Sequence, residues 1–309
     1  MYDGIINVYK PKKMTSFDVV SIMRKLTGVK KIGHTGTLDP NAEGVLTVCI
    51  GQALKCVEYM TEKDKEYVAE LTFGSATDTQ DSTGTVQSVS DKRVSHEVLK
   101  NIVQEFQGSQ MQVPPLYSAL KINGKKYCDV VRKGLDIELS PQAREIQIYS
   151  ISLENVFQNE ENLVERATLK IHCSKGTYIR TLCNDIAARS GTYGHMSALT
   201  RTKAGIFLLE NSYSIDKLRE MKETDCLKNA VEPCERAFER CKLFKFNPDN
   251  IKRITNGIPI KLYLLTFLKN DEFELGEYIR VYDEDCIFRA VGRVTEDETG
   301  LILKGYRIF

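Results

Sequence analysis

Hydrophobic positions along the chain follow two spacings. Val19, Val20, Ile22, Met23 and Leu26 recur at the interval of one helical face, and Thr15-Ser16-Phe17-Asp18 ahead of them has the form of a capping box. In that motif the Thr15 hydroxyl and the Asp18 carboxylate satisfy early helix amides, and Gly28 is a suitable stop. Residues 94–106 and 181–189 also read as helices, the second capped by Gly191. Strand patterns lie between them. Residues 5–9 form a short strand ended by Lys10-Pro11. Residues 45–50 are continuously apolar, which predicts a strand buried on both faces. In 67–73, Tyr67, Ala69, Leu71 and Phe73 share one face, and 167–173 alternates in the same way. Residues 33–44 and 78–84 are polar loops; the acids of the second lack the spacing of a calcium-binding loop. Asn123-Gly124 is a hairpin signal, followed by a short helix at 129–133 that Gly134 stops.

The pattern breaks between about residues 231 and 250, at Pro233 and Asn247-Pro248-Asp249-Asn250. Strand-like runs follow at 278–282, 288–292 and 301–303, which fit a compact β-barrel of about 60 residues. At 309 residues the chain suits one large domain and one small one.

Composition is ordinary for a globular protein, with 42% hydrophobic and 28% charged residues. No segment approaches the roughly 20 consecutive apolar residues of a membrane helix. The N-terminus shows no basic stretch leading into an apolar one, so the expected location is cytoplasmic. Nine cysteines without a Cys-x-x-Cys pair read as reduced thiols, with Cys49, Cys173 and Cys286 inside apolar runs. The four histidines are scattered, and no Cys/His cluster has the spacing of metal ligands, so no metal is expected.

A net charge of +1 does not by itself suggest a nucleic-acid binder. The distribution does. Lys10, Lys12, Lys13, Arg24, Lys25, Lys30 and Lys31 face a single acid, Asp18, within 10–31. Similar excesses occur in 121–133 and 175–203, whereas acids gather at 271–274 and 283–285. Segregation of this kind gives a nearly neutral protein a basic face.

Asp39 is the first chemical candidate. It precedes Pro40, which biases it away from helix, and it lies in a Gly-rich loop ahead of a buried strand. The plain alternative is a turn residue bonded to its own backbone. The second candidate cluster is Ser174-Lys175-Gly176-Thr177-Tyr178-Ile179-Arg180. Continuation of the preceding strand would put Tyr178 and Arg180 on one face. An Arg beside a carboxylate keeps it ionised and orients it through a forked hydrogen bond, as a nucleophilic Asp requires.

Gly33-His34-Thr35-Gly36-Thr37-Leu38-Asp39-Pro40, with Ala42-Glu43-Gly44-Val45-Leu46 behind it, resembles the signature motif of the bacterial TruB family, the tRNA pseudouridine-55 synthases. Further blocks are similar, in family order: Lys10-Pro11 with Met14-Thr15-Ser16, Lys65-Glu66-Tyr67, Tyr117-Ser118-Ala119-Leu120-Lys121, Cys173 through Leu182, and Leu199-Thr200-Arg201-Thr202 with Gly205 and Phe207. The resemblance covers about residues 4–210. One departure is Lys13, where the family commonly has Gly, which puts a glycine-only conformation there in doubt.

The resemblance implies an α+β pseudouridine synthase fold, with a mixed, largely antiparallel central sheet flanked by helices. It would occupy 1–240, with an insertion-like segment at about 120–140. A small PUA-like β-barrel domain would follow at 241–309, with thin motif content at 256–259 and 276–293. It implies isomerisation of uridine to pseudouridine at position 55 in the T-arm loop of tRNA. That reaction breaks one N–C bond and makes one C–C bond with no redox step, so no cofactor is called for. Asp39 resembles the catalytic aspartate, Tyr67 the tyrosine stacked on the target base and a candidate base, and Arg180 the partner of the aspartate. His34, Tyr178 and Leu199 resemble residues that hold the flipped nucleotide, and Lys10 a basic residue near the site. The expected partner is the tRNA T arm, with no membrane and no protein partner, and the chain is expected to be a monomer. Two competing readings are a guide-RNA-dependent synthase and a tRNA-folding chaperone.

Overall fold

The computed structural model describes residues 2–118, 121–122, 125–126, 141–264 and 273–309. The expected helix at 129–133 and the Asn123-Gly124 turn lie outside the described residues. The flanking strands of that turn, Lys121–Ile122 and Lys125–Lys126, pair antiparallel as a hairpin requires.

The first strands are β1 (Gly4–Lys10), β2 (Ile32–His34), β3 (Glu43–Ile50), β4 (Lys65–Phe73), β5 (Ser75–Thr77), β6 (Val86–Val89) and β7 (Gly108–Gln112). After β8 (Lys121–Ile122) and β9 (Lys125–Lys126) come β10 (Arg144–Gln158), β11 (Val164–Cys173), β12 (Gly194–Ala204), β13 (Phe207–Leu208) and β14 (Tyr213–Ser214). A ten-stranded sheet runs β14-β1-β3-β12-β4-β11-β10-β7, with β2 on β3 and β13 on β12. Its pairs are antiparallel except β1–β14 and β3–β12, so the sheet is mixed and largely antiparallel, as expected.

Both faces of the sheet are covered. The helix Ser16–Thr27 has the expected capping box: Thr15 Oγ1 accepts from the Asp18 amide, and the Thr15 amide donates to the Asp18 carboxylate at 2.8 Å. Its Val19, Val20 and Met23 pack on Ile6 and Val8 of β1 and on Leu46, Val48 and Ile50 of β3, together with Ile215 and Leu218 of the helix Ile215–Glu223. The alternate residues Ile5, Val45 and Cys49 face the other way, against Tyr59, Met60 and Phe238. The continuous apolar run of β3 is thus explained by burial on both faces. The helices His96–Glu105 and Ile179–Arg189 pack over β4, β10 and β11.

A second sheet has the order β15-β17-β18-β19-β16, built from Lys242–Lys245 (β15), Ile260–Lys261 (β16), Tyr278–Tyr282 (β17), Phe288–Asp297 (β18) and Gly300–Ile308 (β19). β15 and β16 are its edges and do not pair with each other among the described residues, so the curl is partial rather than a closed barrel. It shares a core with the first sheet: Tyr59 meets Phe238 at 4.4 Å and Tyr278 at 4.9 Å between ring centroids.

Three expectations need correction. The strand ending at Cys173 does not continue to Arg180. Gly176 takes φ 77 and the Thr177 hydroxyl donates to the Ser174 carbonyl at 3.0 Å, which turns the chain into the helix Ile179–Arg189. Tyr178 is the N-cap of that helix and Arg180 lies in its first turn. Cys49 and Cys173 are buried, but Cys286 is exposed with φ 60, in the turn that the Asp283 backbone closes between β17 and β18. Lys13, where a left-handed conformation was in doubt, has φ 63. The loop keeps the path a glycine would take, at a cost of about 1 kcal/mol for an L residue.

Candidate active site

The loop between β2 and β3 is fastened from outside itself. Leu38 and Ala42 are buried in the core below it. Ser16, the first residue of its helix, accepts from the Leu38 amide at 2.9 Å and donates to the Leu38 carbonyl at 3.1 Å. Lys10 donates to the Pro40 carbonyl at 3.2 Å. Arg201, 2% exposed on β12, donates to the Gly36 carbonyl at 2.9 Å and to that of Val45 at 2.7 Å. Both sides of Asp39 are therefore held by side chains from other elements, and the Asp39 carboxylate is left for other work.

Gly44 makes this possible. Its φ is 106, and a Cβ there would lie 2.3 Å from the Arg201 carbonyl oxygen, because β3 and β12 run parallel at this point with Gly44 opposite Arg201. Gly44→Ala combines a forbidden conformation with a backbone collision and is expected to cost about 3 kcal/mol, a fall in Tm of roughly 6–10 °C. Gly28, also left-handed at φ 72, has open space around its missing side chain. Gly28→Ala is expected to cost only about 1 kcal/mol. Thermal melts of the two variants test the difference; equal shifts would contradict the close approach at Gly44.

The Asp39 side chain is 39% exposed and opens onto a cavity of about 540 Å³. The walls include Tyr67, Tyr178, Arg180, Leu199 and Arg201. Arg180 Nε meets Asp39 Oδ2 at 3.0 Å. The expected fork on Asp39 is replaced by a broader arrangement. Arg180 Nη1 donates to the Thr79 carbonyl at 3.0 Å and lies 3.6 Å from Asp81 Oδ2, and Nη2 donates to the Tyr117 carbonyl at 3.0 Å. Asp81 in turn is fixed by Thr79, whose hydroxyl donates to its Oδ1 at 2.8 Å, and by the Thr83 amide at 2.9 Å. A buried guanidinium, 6% exposed, thus sits between two carboxylates, one immobilised and one facing the cavity.

Burial pushes the Asp39 carboxyl above the usual aspartate range; Arg180 opposes this most strongly, and Asp81 adds to it. The Tyr67 phenol is also raised by burial, with Arg201, its cross-strand neighbour, opposing. Tyr67 is therefore a neutral phenol in the resting site. Burial lowers the Lys10 and Lys65 ammonium groups to about 8.

Five of the residues singled out from sequence, Asp39, Tyr67, Arg180, Tyr178 and Leu199, meet around this cavity. Tyr178 is held there by Gln112, whose amide oxygen accepts from the Tyr178 backbone N–H at 2.8 Å. The other two stand back from it. Lys10 is fully buried, and its ammonium donates to the carbonyls of Pro11, Met14 and Pro40, an arrangement suited to holding the loop. His34 accepts from the Gly36 amide through Nδ1 at 3.3 Å and is not part of the cavity wall. Sequence reasoning did not single out Asp81 or Arg201. Arg201 lies within the Leu199-Thr200-Arg201-Thr202 motif. Asp81 lay in a loop with no pattern to mark it.

Two family models cover most of the chain: TruB family pseudouridylate synthase, N-terminal domain, over residues 24–179, and tRNA pseudouridylate synthase B C-terminal domain over 180–239. A tRNA pseudouridine synthase B of Clostridioides difficile is 38% identical over 306 residues, covering 99% of both chains. One of Staphylococcus epidermidis is 40% identical over 262 residues, covering 83% of this chain and 85% of its own. Among solved structures, a chain of an archaeal box H/ACA Nop10-Cbf5 complex superposes with TM-score 0.72 at 20% identity, covering 99% of this chain and 86% of that one. A chain of an H/ACA RNP bound to a substrate RNA containing 2′-deoxyuridine gives 0.71 at 22%, covering 99% and 84%. These structural likenesses establish a shared fold.

Proposed function

The chain belongs to the TruB family of pseudouridylate synthases, and from that membership we propose that it isomerises uridine to pseudouridine in tRNA, unaided, at position 55 of the T-arm loop. The observation that carries the reading is the Asp39–Arg180 pair opening onto a cavity walled by Tyr67 and Leu199. The stand-alone form is supported by relatives named tRNA pseudouridine synthase B that match along almost their whole length. We read the chain as a monomer working in the cytoplasm without a protein partner. No described helix is long and apolar enough to cross a membrane. We divide the chain into a catalytic domain at 1–240 and a PUA-like RNA-binding domain at 241–309; the second family model ends at 239 and β15 begins at Lys242.

The target uridine must leave the RNA stack to expose its glycosidic bond, at a cost of a few kcal/mol. A base stacked on the Tyr67 ring offsets about 1–3 kcal/mol of that, with Leu199 and Tyr178 walling the pocket. Asp39 acts as the ionised carboxylate, whether on ribose C1′, on uracil C6 or on the C2′ proton. Arg180 orients it and opposes its protonation. The freed uracil turns within the cavity, C5 bonds to C1′, and the C5 proton leaves last. A neutral, buried Tyr67 favours the stacking role over that of a resting base.

Asp39 works deprotonated and its pKa is raised, so the rate falls as pH drops through a midpoint above the ordinary aspartate range. Asp81 contributes to the elevation, so Asp81→Asn moves that midpoint lower while slowing the plateau by freeing Arg180. Single-turnover pH profiles of both proteins test this; an upward move in the variant would contradict it. The site of action is tested by incubating an unmodified tRNA transcript with the purified protein and mapping pseudouridine by carbodiimide adducts and primer extension. A single stop in the T-arm loop at position 55 is expected, and stops elsewhere or none would overturn the proposal.

A further inference from the structure

The helix Ser16–Thr27 carries an aromatic ring that the fold does not use. Phe17 is 63% exposed, beside a residue, Ser16, that is 3% exposed and bonded to both backbone groups of Leu38, the neighbour of Asp39. The Arg24 guanidinium lies over the Phe17 ring, 5.5 Å from its centroid. Arg24 is anchored only weakly elsewhere: Nη2 reaches the Ile32 carbonyl at 3.4 Å, and Nε is buried without a hydrogen-bond partner. Lys12, Lys13, Lys25, Lys30 and Lys31 are all exposed in the same segment. The acids there are engaged: Asp18 accepts from the Thr15 amide and hydroxyl, and Glu43 is 3.6 Å from Lys12 and accepts from the Tyr9 hydroxyl.

An open aromatic ring with a guanidinium on it, in a segment that also exposes Lys13, Lys25, Lys30 and Lys31, suits a nucleobase and its phosphates. Charge complementarity therefore selects RNA over an apolar protein partner. The connection through Ser16 and Leu38 puts this face on the element that holds the Asp39 loop. That loop carries Asp39 into the cavity wall, so the helix bearing the ring is tied by two hydrogen bonds to the site itself. We propose that Phe17 and Arg24 form a second stacking platform, taking an RNA base near the target uridine and holding the substrate beside the cavity. The proposal rests on the tRNA reading of the site and adds a base-binding position outside the cavity. Exposed lysines alone would give only salt-sensitive, sequence-blind binding; the ring adds a contact that salt does not screen.

The test is binding and single-turnover kinetics with unmodified tRNA transcript for wild type, Phe17→Ala, Phe17→Tyr and Lys30→Gln. Phe17→Ala is expected to raise Kd roughly tenfold, which corresponds to about 1.4 kcal/mol, within the range for one stacked base. Its rate at saturating tRNA and its Tm should match wild type, since the ring is exposed and touches no reacting group. Phe17→Tyr should restore binding. Lys30→Gln should flatten the dependence of Kd on salt, and Phe17→Ala should not. A Kd for Phe17→Ala within twofold of wild type, or a loss confined to the saturating rate, would overturn the platform. Absence of turnover by wild type would instead be a failure of the functional reading, and the Kd comparison would still decide whether the ring binds RNA.

Discussion

Asp39→Asn is expected to abolish pseudouridine formation, lowering the single-turnover rate by roughly 10⁴-fold or more, while tRNA binding stays within about threefold of wild type. The size follows from the role, since removal of a group that attacks or takes the first proton leaves only binding and positioning. The retention of binding follows from the structure. The loop around Asp39 is held through the backbone groups of Gly36, Leu38 and Pro40 by Arg201, Ser16 and Lys10, none of which touches the carboxylate itself through those bonds. Asn has the same shape and keeps an oxygen for Arg180. Filter binding and tritium release from tRNA labelled at uridine C5 separate the two quantities. Near-normal release by the variant, or loss of binding in parallel with loss of release, would remove Asp39 from the chemistry.

Arg180→Lys is the next largest. A lysine places one ammonium where Arg180 places a planar group with donors directed to Asp39, Asp81, Thr79 and Tyr117 at once. One of the carboxylates and at least one carbonyl would be left without its donor in a site where the guanidinium is 6% exposed. The expected loss is about 3–4 kcal/mol of transition-state stabilisation, or roughly 10²–10³-fold in rate. Arg189→Lys is the control, since Arg189 makes an exposed pair with Glu105 and should change the rate by less than twofold. A rate for Arg180→Lys within twofold of wild type would contradict the arrangement.

The parts of the fold legible in the sequence were those governed by local rules. β3 reads as a buried strand because both its faces are covered, the helix Ser16–Thr27 because its cap and stop are chemical, and the hairpin strands because Asn-Gly favours one turn. β10, 15 residues long and next to the edge strand β7, has no clear signal in the sequence. Its register against β11 shifts between Ile148 and Ser150, between Leu153 and Asn155, and between Phe157 and Gln158, so its side chains lose the alternation that identifies a strand. β12 is hidden by the same device at Met196/Ala198 and Arg201/Lys203.

Five of the candidate residues line one cavity, in an arrangement that the sequence does not reveal. The ordered motifs picked out Asp39, Tyr67, Tyr178, Arg180 and Leu199, which the fold gathers from one loop, two strands and one helix. A face shared by Tyr178 and Arg180 requires the strand to continue past Cys173, and the turn at Gly176 ends it. Asp81 carries no such signal: its partner is 99 residues away, and it is one of two Asp in a polar loop without a recognisable spacing. The resemblance implies that Lys10 is a basic residue near the site. Full burial, with three backbone carbonyls around its ammonium, suits a brace for the loop instead.

The proposed activity is that this chain alone turns a uridine of bare tRNA into pseudouridine. The direct measurement is tritium release from a tRNA transcript labelled at uridine C5, with purified protein and no other macromolecule. One tritium per tRNA is expected to be released, in a single phase when the protein is in excess. No release until a guide RNA and partner proteins are added would contradict it.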